Sequence, residues 1–274
     1  MEYIDVQDTT VPALGLGTWQ LTGPTCRETV RTALELGYRH VDTAQAYGNE
    51  RQVGAGLADA DVDREDVFLV TKLAGGNRDA RSVRHSTRES LRRLGTDYLD
   101  CLLIHWPNMP WMAPLAETLD AMNDLVEEGL VEHVGVSNFP PGLLDDARSR
   151  SDAPILTDQV QYHPYWDQTQ LLDYCRIHDV LLTAYSPLAR GGVLLDPALV
   201  QIGNRYDKSP AQVALRWLLQ QDGVAAIPKA SSREHLAANL AVFDFELTEA
   251  EMRRVRDPSK LKTGLGFLRS QLPW

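Results

Sequence analysis

Two periodicities alternate along the chain. Short apolar, β-rich runs recur at residues 12–17, 38–42, 67–71, 98–104, 131–136, 155–160, 180–185 and 224–227. Between them lie stretches where apolar residues return every three or four positions, the spacing of one helix face. Residues 25–36 place Val30, Ala33 and Leu34 on one side, and 78–94 carry a thin apolar stripe under many charges. Residues 115–128, 168–178 and 209–220 follow the same rule. The punctuation agrees. Ser209-Pro210 leads into a helix, and Gly37 and Gly129 close helices where a left-handed residue is needed.

Eight strands, each followed by a helix, is the count for a (β/α)8 TIM barrel, whose usual size is about 250 residues. An open doubly wound sheet is the alternative. No Pro/Gly/Ser-rich linker or shift of composition divides the 274 residues, so the expectation is a single barrel domain over 1–274. Residues 3–6 and 10–13, around Gln7-Asp8, predict a hairpin ahead of the barrel. Residues 247–255 predict an extra C-terminal helix, with Thr248 and Glu251 as a capping box. The glycine- and apolar-rich tail at 263–274 is expected to pack as a loop.

Composition narrows the classes. Lys and Arg number 27 against 38 Asp and Glu, a net charge of −11, which argues against nucleic acid or an anionic membrane surface as partner. No apolar stretch approaches the ~18 residues of a membrane span, and the first residues lack a basic segment followed by an apolar one. Cys26, Cys101 and Cys175 lie far apart with no CxxC, which fits a reducing compartment and no zinc framework. The expectation is a cytoplasmic protein acting on a small molecule. Only five lysines occur, so Lys72 at the end of an apolar run stands out.

In a barrel of this kind, functional groups project from the C-terminal ends of the strands. Here the apolar runs close on Asp42 (with Tyr47 five residues later), Lys72, His105-Trp106, Ser137-Asn138, Gln159, Tyr185-Ser186 and Lys229. If the barrel forms, all share one mouth. Asp42, Tyr47, Lys72 and His105 make a chemical set. A phenol is a poor proton donor at its ordinary pKa of about 10, and a neighbouring ammonium lowers it. A carboxylate would keep that ammonium charged in a dry pocket, and an imidazole can orient a substrate oxygen. Singly, Asp42 could be a helix cap, His105 a core histidine and Lys72 a strand end reaching for solvent; together on one face they suit protonation of a carbonyl oxygen.

The residues resemble the aldo-keto reductase family, in the prokaryotic branch similar to 2,5-diketo-D-gluconate reductases. The motifs are Gly-Leu-Gly-Thr-Trp at 15–19, Gly-Tyr-Arg-His-Val-Asp-Thr-Ala-Gln-Ala-Tyr-Gly-Asn-Glu at 37–50 and Thr-Lys at 71–72. They continue with Ile-His-Trp-Pro at 104–107, Gly-Val-Ser-Asn-Phe at 135–139 and Gln-Val-Gln-Tyr-His-Pro at 159–164. Ala-Tyr-Ser-Pro-Leu at 184–188 and Ile-Pro-Lys at 227–229 complete the series in order across nearly the whole chain. The resemblance implies Tyr47 as general acid, tuned by Lys72 and Asp42, with His105 as orienting donor. It also implies NAD(P)H bound across the barrel mouth without a Rossmann domain, in a chain that acts as a monomer. Gly15-Leu16-Gly17 is not a dinucleotide fingerprint, because the sixth position is Gln20.

By the same resemblance, Ser137, Asn138 and Gln159 would bond the carboxamide of the cofactor, Asp42 would also contact the cofactor, and Tyr185 would stack on its ring. Ser186, Pro187, Leu188 and Gly191 would follow the pyrophosphate, and Thr18 and Trp19 are further cofactor contacts. Ile227, Pro228, Lys229, Ala230, Ser231, His235 and Asn239 would serve the adenosine end. The chain departs from the family there: six residues beyond Lys229 the usual arginine is His235. Histidine cannot copy the always-charged, bidentate grip of arginine on a 2′-phosphate, although Arg233, two residues earlier, offers a guanidinium. The expected result is NADPH use with weakened discrimination. Trp19, Tyr47, His105 and Trp106 would line the substrate pocket, with Trp111 or Trp274 as further walls. The short 107–114 loop implies an open site for small aldehydes, α-dicarbonyls or keto sugars. A Schiff-base lyase built on Lys72 and a non-catalytic nucleotide sensor are the rival readings.

Overall fold

The computed structural model describes residues 1–256. Two short strands, β1 (Tyr3–Val6) and β2 (Thr9–Pro12), pair antiparallel around a tight turn in which Gln7 takes a left-handed φ of 52°. Eight parallel strands follow: β3 (Leu16–Gly17), β4 (His40–Asp42), β5 (Phe68–Leu73), β6 (Leu99–Ile104), β7 (Val131–Ser137), β8 (Ile155–Gln161), β9 (Leu181–Tyr185) and β10 (Val224–Ala226). Each pairs with its chain neighbour, so the spatial order is the sequence order. The sheet closes on itself. Gly15 N–H donates to the Ala226 carbonyl at 2.9 Å, and Gly17 N–H to the Pro228 carbonyl at 3.1 Å. A Cβ on Gly17 would stand 2.5 Å from the Ile227 carbonyl oxygen, so this seam requires glycine.

Helices cover the outside: α1 (Gly23–Glu35), α2 (Glu50–Asp59), α3 (Ala80–Leu94), α4 (Leu115–Glu127), α5 (Pro141–Arg150), α6 (Thr169–Ile177), α7 (Pro197–Tyr206), α8 (Pro210–Leu219), α9 (Arg233–Leu240) and α10 (Glu249–Arg256). Their apolar faces and the outward faces of the strands form the larger core. A second cluster fills the barrel. Val6 and Val11 from the hairpin plug its floor against Val70, Cys101, Leu103, Leu156, Leu181 and Ala225. Cutting Leu103 to alanine would leave a hole there and cost about 2–5 kcal/mol.

The (β/α)8 expectation and the hairpin hold. The strand expected at 12–17 is divided, because Pro12 ends the hairpin and the chain must climb from floor to wall before β3 begins. Helical spacing misses α2, α5, α7 and α9, each of ten residues or fewer. The helix expected from residue 78 starts at Ala80, where Asp79 caps it by accepting from Ser82 N–H at 3.0 Å. Arg78 thereby leaves the helix and turns inward. The Thr248–Glu251 capping box forms as expected. The 263–274 tail and Trp274 lie outside the described residues.

Candidate active site

Strand ends place the chemistry. In β5, alternation turns Lys72 into the barrel, where it is fully buried. Its Nζ donates to Asp42 Oδ1 at 2.5 Å and to the Thr43 carbonyl at 2.8 Å. Burial works against the ammonium, but Asp42, and Tyr47 after it, outweigh burial and hold the Lys72 pKa above its ordinary value. Asp42 ends β4 and is also buried. Breaking such a pair from one side strands a charge in the interior, a loss of about 3–5 kcal/mol.

Tyr47 lies in a single 3-10 turn (Gln45–Tyr47) closed by Gly48 at φ 66°. Lys72 Nζ sits 5.2 Å from the centre of its ring, and the His105 ring meets it edge-on at 5.8 Å. Two side chains bracket the turn. Asn49 donates to the Thr18 and Leu21 carbonyls, and Gln45 Oε1 accepts from Ala74 N–H at 2.9 Å. The phenol corrects one expectation. Lys72 does pull its pKa down, yet burial dominates and the net direction is upward. His105, one residue past β6, is held down to about 3 by burial, then by Lys72 and Arg78, so its imidazole is neutral.

The opposite wall is polar. Gln159 Nε2 donates to Asp42 Oδ2 at 2.7 Å, while none of the described residues donates to its Oε1. Ser137 Oγ donates to the Gln159 carbonyl at 2.6 Å, and Asn138 Nδ2 to the His105 carbonyl at 3.1 Å. Tyr185 O–H donates to Asn138 Oδ1 at 2.8 Å, which pins the ring. Asn138 and Ser186, each just beyond a strand end, hold left-handed φ values of 65° and 49°. Left-handed φ is uncommon for non-glycine residues, and asparagine is among those that adopt it most readily.

These groups surround one cavity of about 880 Å³. Trp19, Asp42, Tyr47, His105, Trp106, Ser137, Asn138, Gln159 and Tyr185 line it. Ser186, Pro187, Leu188, Gly191, Ile227, Pro228 and Lys229 continue its wall. Thr18, Ala230, Ser231, His235 and Asn239 are not on it; Thr18 and Asn239 are buried, while His235 is exposed. Arg233 is drawn to Glu35 at 3.3 Å rather than toward the cavity. Trp111 is 76% exposed and does not reach the pocket. Sequence reasoning missed Gln20, Ala46, Gln161 and Arg190, which also line it. Gln20, Ala46 and Arg190 sit outside the strands, where no periodicity marks a direction; Gln161, two residues after Gln159 on β8, lay on the same face by strand alternation.

A parallel barrel whose polar chemistry gathers at the C-terminal strand ends is a barrel enzyme in its architecture. Residues 13–259 match the model of the aldo/keto reductase family. Methylglyoxal reductase DkgB of Salmonella typhi is 37% identical over 239 residues, 87% of this chain and 89% of that one. A solved structure provisionally named 2,5-diketo-D-gluconic acid reductase B is 44% identical, with a TM-score of 0.92 over 94% of this chain and 91% of that one. An aldo-keto reductase of Bombyx mori, solved with NADP, is 33% identical, with a TM-score of 0.86 over 93% and 92%. The chain belongs to the aldo-keto reductase family and is an oxidoreductase. Among the described residues no helix is long and apolar enough to cross a membrane.

Proposed function

We propose that the chain is an NAD(P)H-dependent carbonyl reductase for small aldehydes, α-dicarbonyls or keto sugars. The observation that carries this reading is the gathering of the Tyr47 phenol, the Lys72–Asp42 pair and a neutral His105 at one end of a cavity. Its wall offers Gln159 and Asn138 amides beside the pinned ring of Tyr185. The donor set fits a nicotinamide. Gln159 Oε1 and Asn138 Oδ1 accept from a carboxamide N–H, and the Tyr185 face suits an aromatic ring. Lys229 and Ser231, at the end of the cavity and just beyond it, suit the phosphate end and favour NADPH.

A dihydronicotinamide held by Gln159, Asn138 and Tyr185 would supply the hydride for the carbonyl carbon. The protein supplies the proton and the geometry. His105, neutral at working pH, donates an N–H to the carbonyl oxygen and fixes its direction. As negative charge grows on that oxygen, Tyr47 transfers its O–H proton and the alcohol forms. Lys72 stabilises the phenolate left behind, and Asp42 keeps Lys72 charged in the dry interior. The balance is one hydride and one proton per carbonyl. Trp106, about half exposed, and Trp19 give the entrance aromatic walls without closing it, which suits compact and varied substrates.

The lyase reading asks Lys72 for a neutral amine. Its contact with Asp42 favours the ammonium, so borohydride should trap no substrate on it. Oxidation of NADPH, followed at 340 nm with a panel of aldehydes and α-dicarbonyls, tests the reductase directly. Tyr47→Phe should lower turnover by roughly 10²–10⁴-fold while leaving quenching of tryptophan fluorescence by NADPH unchanged. A variant that turns over like wild type would remove Tyr47 from the proton-transfer role.

A further inference from the structure

Arg78 is one of the most deeply buried charges in the molecule, at 2% exposed. It lies between β5, which delivers Lys72, and α3, immediately before the cap Asp79. Its guanidinium finds carbonyls rather than a carboxylate. Nη1 donates to the Leu73 carbonyl at 3.4 Å and Nη2 to the Trp106 carbonyl at 3.1 Å. Thr118 Oγ1 donates to the Arg78 carbonyl at 2.6 Å and so anchors its backbone from α4. Among the described residues no carboxylate pairs with it, and Nε has no partner. Arg216, the other deeply buried arginine among the described residues, pairs with Glu2 and Glu246. A buried cation without a counterion is costly, so its retention calls for a reason.

The two carbonyls supply one. Leu73 is the residue after Lys72, and Trp106 is the residue after His105. β5 and β6 are neighbours, with Leu73 opposite Ile104 in the ladder, and the ladder ends there. Beyond it Arg78 continues the connection, bridging the ends of the strands that deliver Lys72 and His105. The Trp106 carbonyl it holds lies one residue beyond His105. Asn138, donating to the His105 carbonyl from the other side, completes the clamp.

We propose that Arg78 is a positioning residue that acts through His105, fixing the Leu73 and Trp106 carbonyls and so aiming the imidazole at the substrate oxygen. This rests on the carbonyl-reductase reading above. Its charge has a second effect in the same direction, since with Lys72 it disfavours an imidazolium and keeps His105 a neutral donor.

The test is a double-mutant cycle with NADPH and an α-dicarbonyl that wild type reduces. Arg78→Lys keeps the charge but cannot span both carbonyls, and Arg78→Gln keeps donors without charge. Each should lower kcat/KM about 10–100-fold and leave the NADPH Kd, read by tryptophan fluorescence, within twofold. In a His105→Gln background the same changes should cost less than twofold, because the residue they act through is gone. Equal losses in both backgrounds, or no loss in either Arg78 variant, would overturn the proposal. Should both fold poorly by circular dichroism, Thr118→Val, which frees the Arg78 backbone, should show a smaller loss that also vanishes with His105→Gln; an additive loss overturns it. Wild type that binds NADPH but reduces no carbonyl would sink the reductase reading itself, a result distinct from active wild type with additive variants.

Discussion

Gln159 donates its amide N–H to Asp42 Oδ2 at 2.7 Å across the barrel mouth, and both side chains are buried. With Lys72 on the other oxygen, the Asp42 carboxylate is satisfied from two sides. One amide therefore joins the wall proposed to hold the cofactor to the ion pair proposed to serve Tyr47. Substituting Gln159 by Leu should damage both. A lost hydrogen bond to a buried charge is worth about 1.5–3 kcal/mol, so kcat should fall about 10–100-fold and the NADPH Kd should rise. Fluorescence titration and steady-state kinetics on one preparation separate the two effects. A change in Kd alone would show that the Asp42 contact does not matter to proton transfer.

His105 should not titrate in the working range. Its pKa is held near 3 by burial and by the cations Lys72 and Arg78, so the imidazole is neutral from pH 5 upward. The profile of kcat/KM against pH should then show no limb near 6.5. Any alkaline fall should follow loss of the Tyr47 proton, whose pKa burial pushes up. His105→Gln should lower kcat/KM by about 10²-fold and keep the shape of the profile. An inflection between pH 6 and 7 that disappears in the variant would mean that an imidazolium acts instead.

The barrel was legible because buried parallel strands read as apolar runs, and the site was legible because each run closes on a polar group. Asp42, Lys72, His105, Gln159 and Tyr185 could be placed at one mouth without coordinates. What failed has physical causes. The helical spacing of residues 78–94 continues through Arg78, so nothing in the pattern shows that Asp79 caps the helix and turns Arg78 inside. The direction in which the Tyr47 pKa moves depends on how deeply the ring is buried, and a sequence shows the lysine but not the burial. Arg190 reaches the cavity from a loop, where no period marks a direction, whereas Gln161, two residues after Gln159 on β8, shares its face by alternation and could have been read.

Cofactor preference should reflect His235 and the engagement of Arg233. His235 is exposed, and its N–H donates to the Ser232 cap at 3.2 Å. Arg233 is drawn 3.3 Å from Glu35, an exposed pair of little intrinsic strength that nonetheless biases the guanidinium away from the cavity. The ratio of kcat/KM for NADPH over NADH should lie below about 10², and His235→Arg should raise it at least tenfold, about the worth of a charge-assisted contact. Glu35→Ala should raise it more modestly by releasing Arg233. A wild-type preference of many hundredfold would show that position 235 does not limit discrimination.

Asp158 carries a stability cost that can be measured. It sits on β8 beside Gln159 but is completely buried. Its Oδ1 meets only the Phe139 N–H at 3.5 Å, and Oδ2 has no partner among the described residues. Burial raises its pKa to about 8. In the unfolded chain the group titrates near 3.9, so between about pH 4 and 8 the native state keeps a proton that the unfolded state releases. Stability must therefore fall as pH rises through that window. Each tenfold difference in proton affinity between the two states is worth about 1.36 kcal/mol. Asp158→Asn, which removes the titration, should raise stability at pH 7–8 and change it little at pH 4. For a chain of this size the gain corresponds to a Tm increase of several degrees. Thermal melts of both proteins at pH 4 and pH 8 check the sign. A gap in Tm that is the same at both values would mean that Asp158 is not held protonated, and that the asparagine acts through packing alone.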